Sequence, residues 1–130
     1  DNGCFDILHL GHLRLLAQAR QLGHELIVLV NDDASLRAYK GQQRPIFPIH
    51  FRLSALQALQ AVSLAYPFAG DNPLSLLAQI RPDIHVKGGS YEAERIRQEK
   101  DLVSSWGGRL ECMPLLPGFS TTDLLKRALA

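Results

Sequence analysis

Cysteine is scarce in this chain, and its scarcity excludes several classes of protein. Only Cys4 and Cys112 are present among 130 residues, far apart and without a CxxC pairing. Neither a disulfide framework nor a cysteine-based zinc site is therefore expected, and the reducing cytoplasm is the expected location. The chain also lacks an apolar run of membrane-spanning length and a visible signal peptide.

The chain has little excess charge of either sign. Its 14 lysines and arginines nearly balance 13 aspartates and glutamates, which gives a formal net charge of +1. We therefore expect no nucleic-acid and no membrane partner, and any anion-binding site must be local. Hydrophobic residues make up 46% of the sequence, an ordinary share for a globular protein, and we expect residues 1–130 to form one domain.

Apolar runs typical of buried strands alternate with segments of helical period. The run LIVLV at 26–30 is continuously apolar, as in a strand covered on both faces. The stretch DNGCFD at 1–6 is typical of a strand end and the loop after it, so we expect part of the first strand to precede Asp1. Further strands are predicted at 62–68, 83–89 and 109–115. Helices are predicted at 12–23, from Asp32 or Asp33, at 50–62, 73–80 and 93–105, and from Ser120 or Thr121 onward.

This alternation predicts right-handed crossovers and a parallel sheet. The expected fold is a single Rossmann-like α/β domain in three layers, with a sheet of about five strands and helices on both faces. Ligands bind such folds beyond the carboxyl ends of the strands. We therefore expect the site in the polar loops that follow the predicted strands, namely 3–12, 31–45, 70–73, 87–92 and 114–122.

The first of these loops contains His9 and His12 in the stretch HLGH, where a strand ends and a helix begins. Backbone N–H groups of the helix start and two imidazoles suit a phosphate, and Gly11 would let an anion approach the backbone. Two alternatives remain open at this point, structural histidines and a pair of metal ligands. Asp6 is a candidate magnesium or loop-ordering residue, and Cys4 is interpreted as a small strand residue and not a nucleophile.

The stretch NGCFDILHLGH resembles the signature of the nucleotidyltransferase superfamily that contains cytidylyltransferases and small adenylyltransferases, whose HxGH motif binds nucleotide phosphates. The stretches LIVLVNDDAS, KGQQRP, RPDIHVKGGSY and GFSTTDLLKR are similar, in order and spacing, to the D-glycero-β-D-manno-heptose 1-phosphate adenylyltransferases. The resemblance covers essentially the whole chain. It implies that a sugar 1-phosphate oxygen attacks the α-phosphorus of ATP, forming an ADP-sugar for lipopolysaccharide core synthesis and releasing pyrophosphate.

The resemblance also implies roles for individual residues. His9, His12 and Lys40 would be catalytic and contact the ATP phosphates, with His12 closest to the charge of the transition state. The implied nucleotide-binding residues are Gly3, Cys4, Phe5, Asp6, Gly11, Lys87, Gly88, Gly89, Tyr91, Ser120, Thr121 and Thr122. Candidates for binding the acceptor or its phosphate are Arg44, Arg52 and Asp71. No protein-bound metal is expected, and Mg²⁺ would enter as the ATP complex.

The sequence departs from this family in three places, one of which is AGDNP at 69–73, which keeps Asp71 and Pro73 of a segment that is normally acidic and runs into Thr-Pro. Residues 48–52 read PIHFR, where relatives usually carry an acidic pair, and Ser63 stands where many relatives carry aspartate. We expect these differences to affect the acceptor or a subunit interface. The resemblance implies a homodimer and an association or fusion with a sugar kinase. Two other functions remain open: a cytidylyltransferase acting on glycerol 3-phosphate or a similar alcohol phosphate, and a non-catalytic nucleotide-binding domain.

Overall fold

A computed structural model describes residues 1–70, 72–89, 93–114 and 117–129. The strands are β1 (Asn2–Gly3), β2 (Ile27–Asn31), β3 (Leu64–Phe68), β4 (Ile84–Gly88) and β5 (Arg109–Met113). The helices are α1 (Leu10–Gln21), α2 (Asp33–Lys40), α3 (Ile49–Gln57), α4 (Leu74–Ile80), α5 (Ala93–Ser104) and α6 (Thr121–Leu129). Within these ranges, no helix combines the length and the apolar content that a membrane crossing requires.

All described strand pairs are parallel, as the alternation of elements predicts. They form two ladders, β1–β2–β3 and β4–β5, and not one continuous sheet. β1 spans only two residues, and both of them pair with β2. Side chains bring the two ladders together, since Lys87 Nζ of β4 donates to Asn2 Oδ1 of β1 at 2.8 Å. The five parallel strands are therefore confirmed, in two groups.

The side chains of β2 alternate between two apolar layers. Val28 and Val30 are fully buried in a cluster with Leu16 of α1 and with residues of α3. Leu29 points the other way and packs with Leu77 of α4, and side chains of α5 pack against the same cluster. Because successive strand residues face opposite sides, this alternation places helices on both faces of the sheet. The predicted three-layer α/β architecture is confirmed.

Several helix boundaries differ from the sequence prediction; α1, for example, spans Leu10–Gln21 and not 12–23. The helix predicted at 50–62 ends at Gln57, and the chain continues as turns up to Val62. Val62 is buried in the core although it lies beyond the helix. Its apolar side chain therefore fits the helical spacing of hydrophobic residues in the sequence, but it is not part of α3. Lys40, predicted in a loop, is the last residue of α2, and Gly41 with φ 109° ends the helix. A positive φ is accessible to glycine at little cost, so the α2 end suits this residue.

The turn between α5 and β5 depends on a glycine without free space around it. A Cβ on Gly108 would lie 2.7 Å from Val103 Cγ1 and 2.8 Å from the backbone oxygen of Pro82. That same oxygen accepts a hydrogen bond from Trp106 Nε1 at 2.9 Å. A side chain at this position would therefore displace the backbone before β4 or break the tryptophan hydrogen bond.

We expect Gly108→Ala to lower the free energy of unfolding by about 1–3 kcal/mol, because overpacking forces the surrounding structure to shift. Urea denaturation followed by circular dichroism measures the change. Gly23→Ala is the matched control, since the nearest atom to a Cβ there is 3.9 Å away. Equal effects of the two substitutions would contradict this account of Gly108.

Candidate active site

A cleft of about 530 Å³ opens at the carboxyl ends of the strands. Its wall is built from the loops after β1, β2 and β3, from the end of β4, from side chains of α5 and from the start of α6. The sequence-predicted residues in this wall are Gly3, Cys4, Phe5, Asp6, His9, Gly11, His12, Lys40, Arg44, Lys87, Gly88, Ser120, Thr121 and Thr122. Residues from distant parts of the chain thus meet where parallel α/β folds bind their ligands.

A second cleft of about 450 Å³ lies at the amino ends of β2 and β4. Its wall contains none of the residues that the sequence analysis assigned to the site. Ser63 belongs to this end of the molecule, because its Oγ accepts hydrogen bonds from Leu26 N at 3.1 Å and Arg20 Nη1 at 3.2 Å. The structure therefore does not bring Ser63 to the acceptor side of the carboxyl-end cleft. Residues 48–52 also lie outside the wall of that cleft.

His9 and His12 form a reciprocal cap at the start of α1. The Nδ1 of His9 accepts from Gly11 N at 3.1 Å, and the Nδ1 of His12 accepts from His9 N at 3.3 Å. The two rings stack with their centres 3.8 Å apart. Since Nδ1 is the acceptor in both rings, the proton of each neutral imidazole sits on Nε2. Each ring thus keeps one N–H donor in the wall of the cleft.

Burial keeps both histidines neutral before a ligand binds. It lowers the pKa of His9, and it lowers the pKa of His12 to about 4, with a further contribution from the neighbouring His9. A phosphate would therefore meet two neutral hydrogen-bond donors, together with the N–H groups and the partial positive charge of the helix start.

Gly11 is required by the cap itself. A Cβ on Gly11 would lie 2.8 Å from Cε1 and 3.0 Å from Nδ1 of His9. The sequence analysis expected this glycine to give an anion access to the backbone. In the structure, its first role is to let the His9 ring fold back over the helix start, which the spacing HxGH alone did not reveal.

Asp6 orders the loop 41–48 at the edge of the cleft. Its carboxylate accepts from Arg44 Nε at 2.6 Å and from the backbone N–H groups of Ile46 and Phe47 at 2.8 and 2.9 Å. Burial alone would raise the pKa of Asp6, but these hydrogen bonds and the Arg44 charge outweigh it and lower the pKa. Of the two predicted roles, the structure therefore supports loop ordering.

Arg52, a predicted phosphate-binding residue, is only 1% exposed and lies outside the cleft wall. Its guanidinium donates to the backbone oxygens of Cys4, Asn31 and Phe47 and to Asp33 Oδ1, at 2.7–2.9 Å. All three of its nitrogens are engaged, so Arg52 supports the loops behind the cleft and does not face a ligand. Cys4, predicted to be a buried strand residue, is the residue after β1 and is only partly buried, and burial raises the pKa of its thiol.

Three further residues predicted for the site make different contacts: Ser120, Thr121 and Lys40. Ser120 Oγ accepts from Asp123 N at 3.0 Å, and Thr121 Oγ1 donates to Ile7 O at 3.2 Å, which ties α6 to the loop after β1. Lys40 is exposed, and its Nζ lies 5.0 Å from the centre of the Tyr39 ring.

Gly88 and Gly89, predicted to approach the nucleotide, differ in placement. Gly88 lies in the cleft wall, where a Cβ would meet Leu15 Cδ2 at 2.5 Å, so the Leu15 side chain of α1 packs directly on the backbone of β4 there. Gly89 adopts φ 87° outside the wall, and its N–H donates to Met113 O. Asp71 and Tyr91 lie outside the described residues.

Sequence reasoning missed Glu99, which is 2% exposed and lies in the cleft wall. Its Oε1 lies 2.7 Å from His85 Nε2 and 3.1 Å from Lys87 Nζ. One signal could have identified it: Glu99 precedes the buried Val103 by four residues, so it falls on the apolar face of α5. A charge on such a face is rarely buried without a partner.

The described residues provide no ready metal site. No group of three or more histidine, cysteine, aspartate or glutamate side chains within the described ranges could hold a metal ion. His9 and His12 use their Nδ1 atoms on backbone N–H groups, and the Asp6 carboxylate is occupied by Arg44 and the loop backbone.

The lowered pKa of His12 makes stability depend on pH. The unfolded chain binds a proton at His12 near its ordinary value of 6.5, whereas the folded chain does so only near 4. Protons therefore favour unfolding, and the free energy of unfolding should fall as the pH drops from 6.5 towards 4. Urea denaturation between pH 7.5 and 4.5 measures this slope. His12→Gln should have a shallower slope, and identical slopes would contradict the assignment.

Comparisons with known proteins agree with this geometry. Residues 2–127 match the sequence profile of the family described as Cytidylyltransferase-like. The chain is 48% identical over 126 residues to the Bifunctional protein HldE of Halorhodospira halophila, covering 97% of this chain and 26% of that protein. It is 44% identical over 128 residues to the Bifunctional protein HldE of Coxiella burnetii strain RSA 493, covering 98% of this chain and 27% of that protein. The chain thus spans about a quarter of the length of these relatives.

A solved structure has the same fold. The crystal structure of the lipopolysaccharide core biosynthesis protein from Thermoplasma volcanium GSS1 superposes with a TM-score of 0.71 at 26% identity, covering 88% of this chain and 92% of that one. The resemblance that HLGH and the later motifs indicated is confirmed. With a family profile that matches residues 2–127, this chain belongs to the cytidylyltransferase-like family.

Proposed function

We propose that this domain is an adenylyltransferase that joins AMP from ATP to a sugar 1-phosphate, a heptose 1-phosphate in particular. The observation that carries the proposal is the convergence of the HLGH cap, the start of α6 and the cations Lys40, Arg44 and Lys87 around one cleft. Relatives at 44–48% identity over nearly the whole chain support the heptose branch of the family. The product would be an ADP-sugar for lipopolysaccharide core synthesis.

The reaction needs no covalent enzyme intermediate. A phosphate oxygen of the sugar 1-phosphate attacks the α-phosphorus of ATP, and the bond from that phosphorus to the oxygen bridging to the β-phosphate breaks. Pyrophosphate leaves with the electrons of that bond. The tasks of the protein are then to hold two anions together and to stabilise the charge that develops on the transferred phosphate and the leaving group.

The HLGH cap suits the second task. His9 and His12 are held in fixed positions by their Nδ1 hydrogen bonds, so their Nε2–H donors are oriented before ATP arrives. Donors that are fixed in advance stabilise a developing charge without reorganising during the reaction. Because they start neutral, they add little repulsion to one another in the free protein. Lys40 would supply a mobile positive charge to the phosphates from the end of α2.

Magnesium would enter this cleft as the ATP complex. ATP phosphates and water are the ligands that Mg²⁺ commonly uses in such sites, and the described part of the chain offers no three-residue cluster to replace them. When bound, the ion would neutralise phosphate charge. Asp6, the carboxylate nearest the motif, would act on the nucleotide only through the loop 41–48 that it orders.

We further propose that the domain works as part of a larger assembly in the cytoplasm, where ATP is supplied. The relatives are called bifunctional and are about four times as long as the matched region, which supports a fusion or association with a sugar kinase. A homodimer is supported by apolar side chains on the edge strand β3, where Leu64 is 43% and Tyr66 50% exposed. Sedimentation velocity measures the oligomeric state of the chain.

The decisive experiment is a pyrophosphate-release assay that crosses ATP and CTP with heptose 1-phosphate, other sugar 1-phosphates and glycerol 3-phosphate. We expect turnover with ATP and heptose 1-phosphate, because the motifs around the cleft are similar to those of the heptose adenylyltransferases. Turnover with CTP and glycerol 3-phosphate alone would favour the cytidylyltransferase alternative. Nucleotide binding without any turnover would favour a non-catalytic domain.

Replacing His12 tests the assigned donor. We expect His12→Gln to lower kcat by about 10²- to 10³-fold, the usual effect of losing one donor to a developing oxyanion, with a smaller change in the KM for ATP. His24→Gln is the matched control, since His24 is exposed and lies in the wall of the amino-end cleft. A His12→Gln variant that retains the full rate would remove His12 from the mechanism.

A further inference from the structure

Three ionisable side chains are buried together between β4 and α5. His85 and Lys87 of β4 and Glu99 of α5 are each at most 2% exposed. His85 and Lys87 are two positions apart in a strand, so they share the face that meets α5, while Val86 between them lies in the core cluster of α1. Such a cluster is costly to desolvate and exists only with internal partners.

The cluster is connected from α5 to β1. Oε1 of Glu99 lies 2.7 Å from His85 Nε2 and accepts from Lys87 Nζ at 3.1 Å. Lys87 Nζ also donates to Asn2 Oδ1 of β1 at 2.8 Å. Asn2 stands seven residues before His9 in the chain. Asn2, Lys87 and Glu99 all lie in the wall of the carboxyl-end cleft, whereas His85 lies in the wall of the amino-end cleft.

The charges in this cluster depend on one another. Burial lowers the pKa of Lys87, and the neighbouring Glu99 acts in the opposite direction and favours the ammonium form. For Glu99, burial would raise the pKa, but the hydrogen bond to His85 and the charge of Lys87 outweigh it, so its pKa is lowered. Burial also lowers the pKa of His85, so at neutral pH its imidazole is uncharged and donates Nε2–H to the Glu99 carboxylate.

We propose that Glu99 is a positioning residue for nucleotide binding, which holds the Lys87 ammonium charged and fixed in the wall of the cleft, where it attracts a phosphate of ATP. His85 orients the Glu99 carboxylate from the side of the amino-end cleft. This inference rests on the proposed function, because it takes ATP as the ligand of the cleft. The competing explanation is that Glu99 only anchors α5 to β4 and has no effect on the nucleotide.

Glu99→Gln separates the two explanations because it keeps the size of the side chain and removes its charge. We expect it to raise the Kd for ATP, measured by titration calorimetry on this chain, and the KM for ATP at least about tenfold, the effect of weakening one hydrogen bond to a charged group. The fall in kcat should be smaller. Glu94→Gln is the matched control on the same helix, because Glu94 pairs with Arg97 at 2.9 Å on the exposed side.

A double-mutant cycle with Lys87→Met tests whether Glu99 acts through Lys87. If it does, Lys87→Met with Glu99→Gln should bind ATP no more weakly than Lys87→Met alone, because the second substitution has nothing left to position. Losses that multiply in the double variant would overturn the proposal, and so would a Glu99→Gln variant that binds ATP like Glu94→Gln. The double variant removes both buried charges together, which protects the fold better than removing one.

Thermal unfolding of every variant provides the check on folding. If Glu99→Gln does not fold, Glu99→Asp replaces it, since it keeps the charge and retracts the carboxylate by one methylene. A raised Kd for ATP in a folded Glu99→Asp supports positioning, and an unchanged Kd overturns it. The proposed function fails separately, if the unsubstituted chain binds ATP but releases no pyrophosphate with any sugar 1-phosphate.

Discussion

The buried guanidinium of Arg52 is the interaction on which the cleft depends. It donates to the backbone oxygens of Cys4 after β1, Asn31 at the end of β2 and Phe47 in the loop 41–48, and to the carboxylate of Asp33 at the start of α2. These four acceptors lie in three separate segments of the chain, at 4, 31–33 and 47, and one rigid planar group joins them. The carboxyl ends of β1 and β2 therefore keep a fixed separation, and the side chains that follow them project into a common space.

Asp6 has the complementary role on the other side of the same loop. Its carboxylate accepts hydrogen bonds from Arg44 and from two backbone N–H groups. A second charged side chain therefore holds the wall of the cleft in place. The histidines of HLGH are likewise engaged through Nδ1 before any ligand arrives. The site thus combines a rigid set of donors, whose protons are already oriented, with one exposed cation, Lys40, at the end of α2. Donors that are fixed before a ligand binds suit the stabilisation of a developing negative charge.

Sequence reasoning succeeded where the signal was local. The continuous apolar run of β2, the helical period of α1 and the histidine spacing before it each act within a few residues, so their patterns predict the elements and the edge of the sheet that carries the site. Sequence reasoning did not predict the burial of Arg52 and Glu99. An arginine and a glutamate in helices are usually solvated, and only the segments packed around them decide whether they are buried. The overlong prediction for α3 has the same origin, since Val62 is buried by the sheet and not by the helix.

What the sequence by itself determined is the order of elements, the parallel α/β architecture and the set of residue types that meet beyond the carboxyl ends of the strands. Periodicity and turn chemistry are enough for this, because each depends on neighbours along the chain. The tertiary structure decided the assignment of roles within that set. In the folded structure, Arg52 supports the loops behind the cleft and Glu99 pairs with Lys87. The absence of a side chain at Gly11 leaves room for the His9 ring. Each of these roles is set by desolvation and by hydrogen bonds between distant segments, and neither quantity exists until the chain has folded.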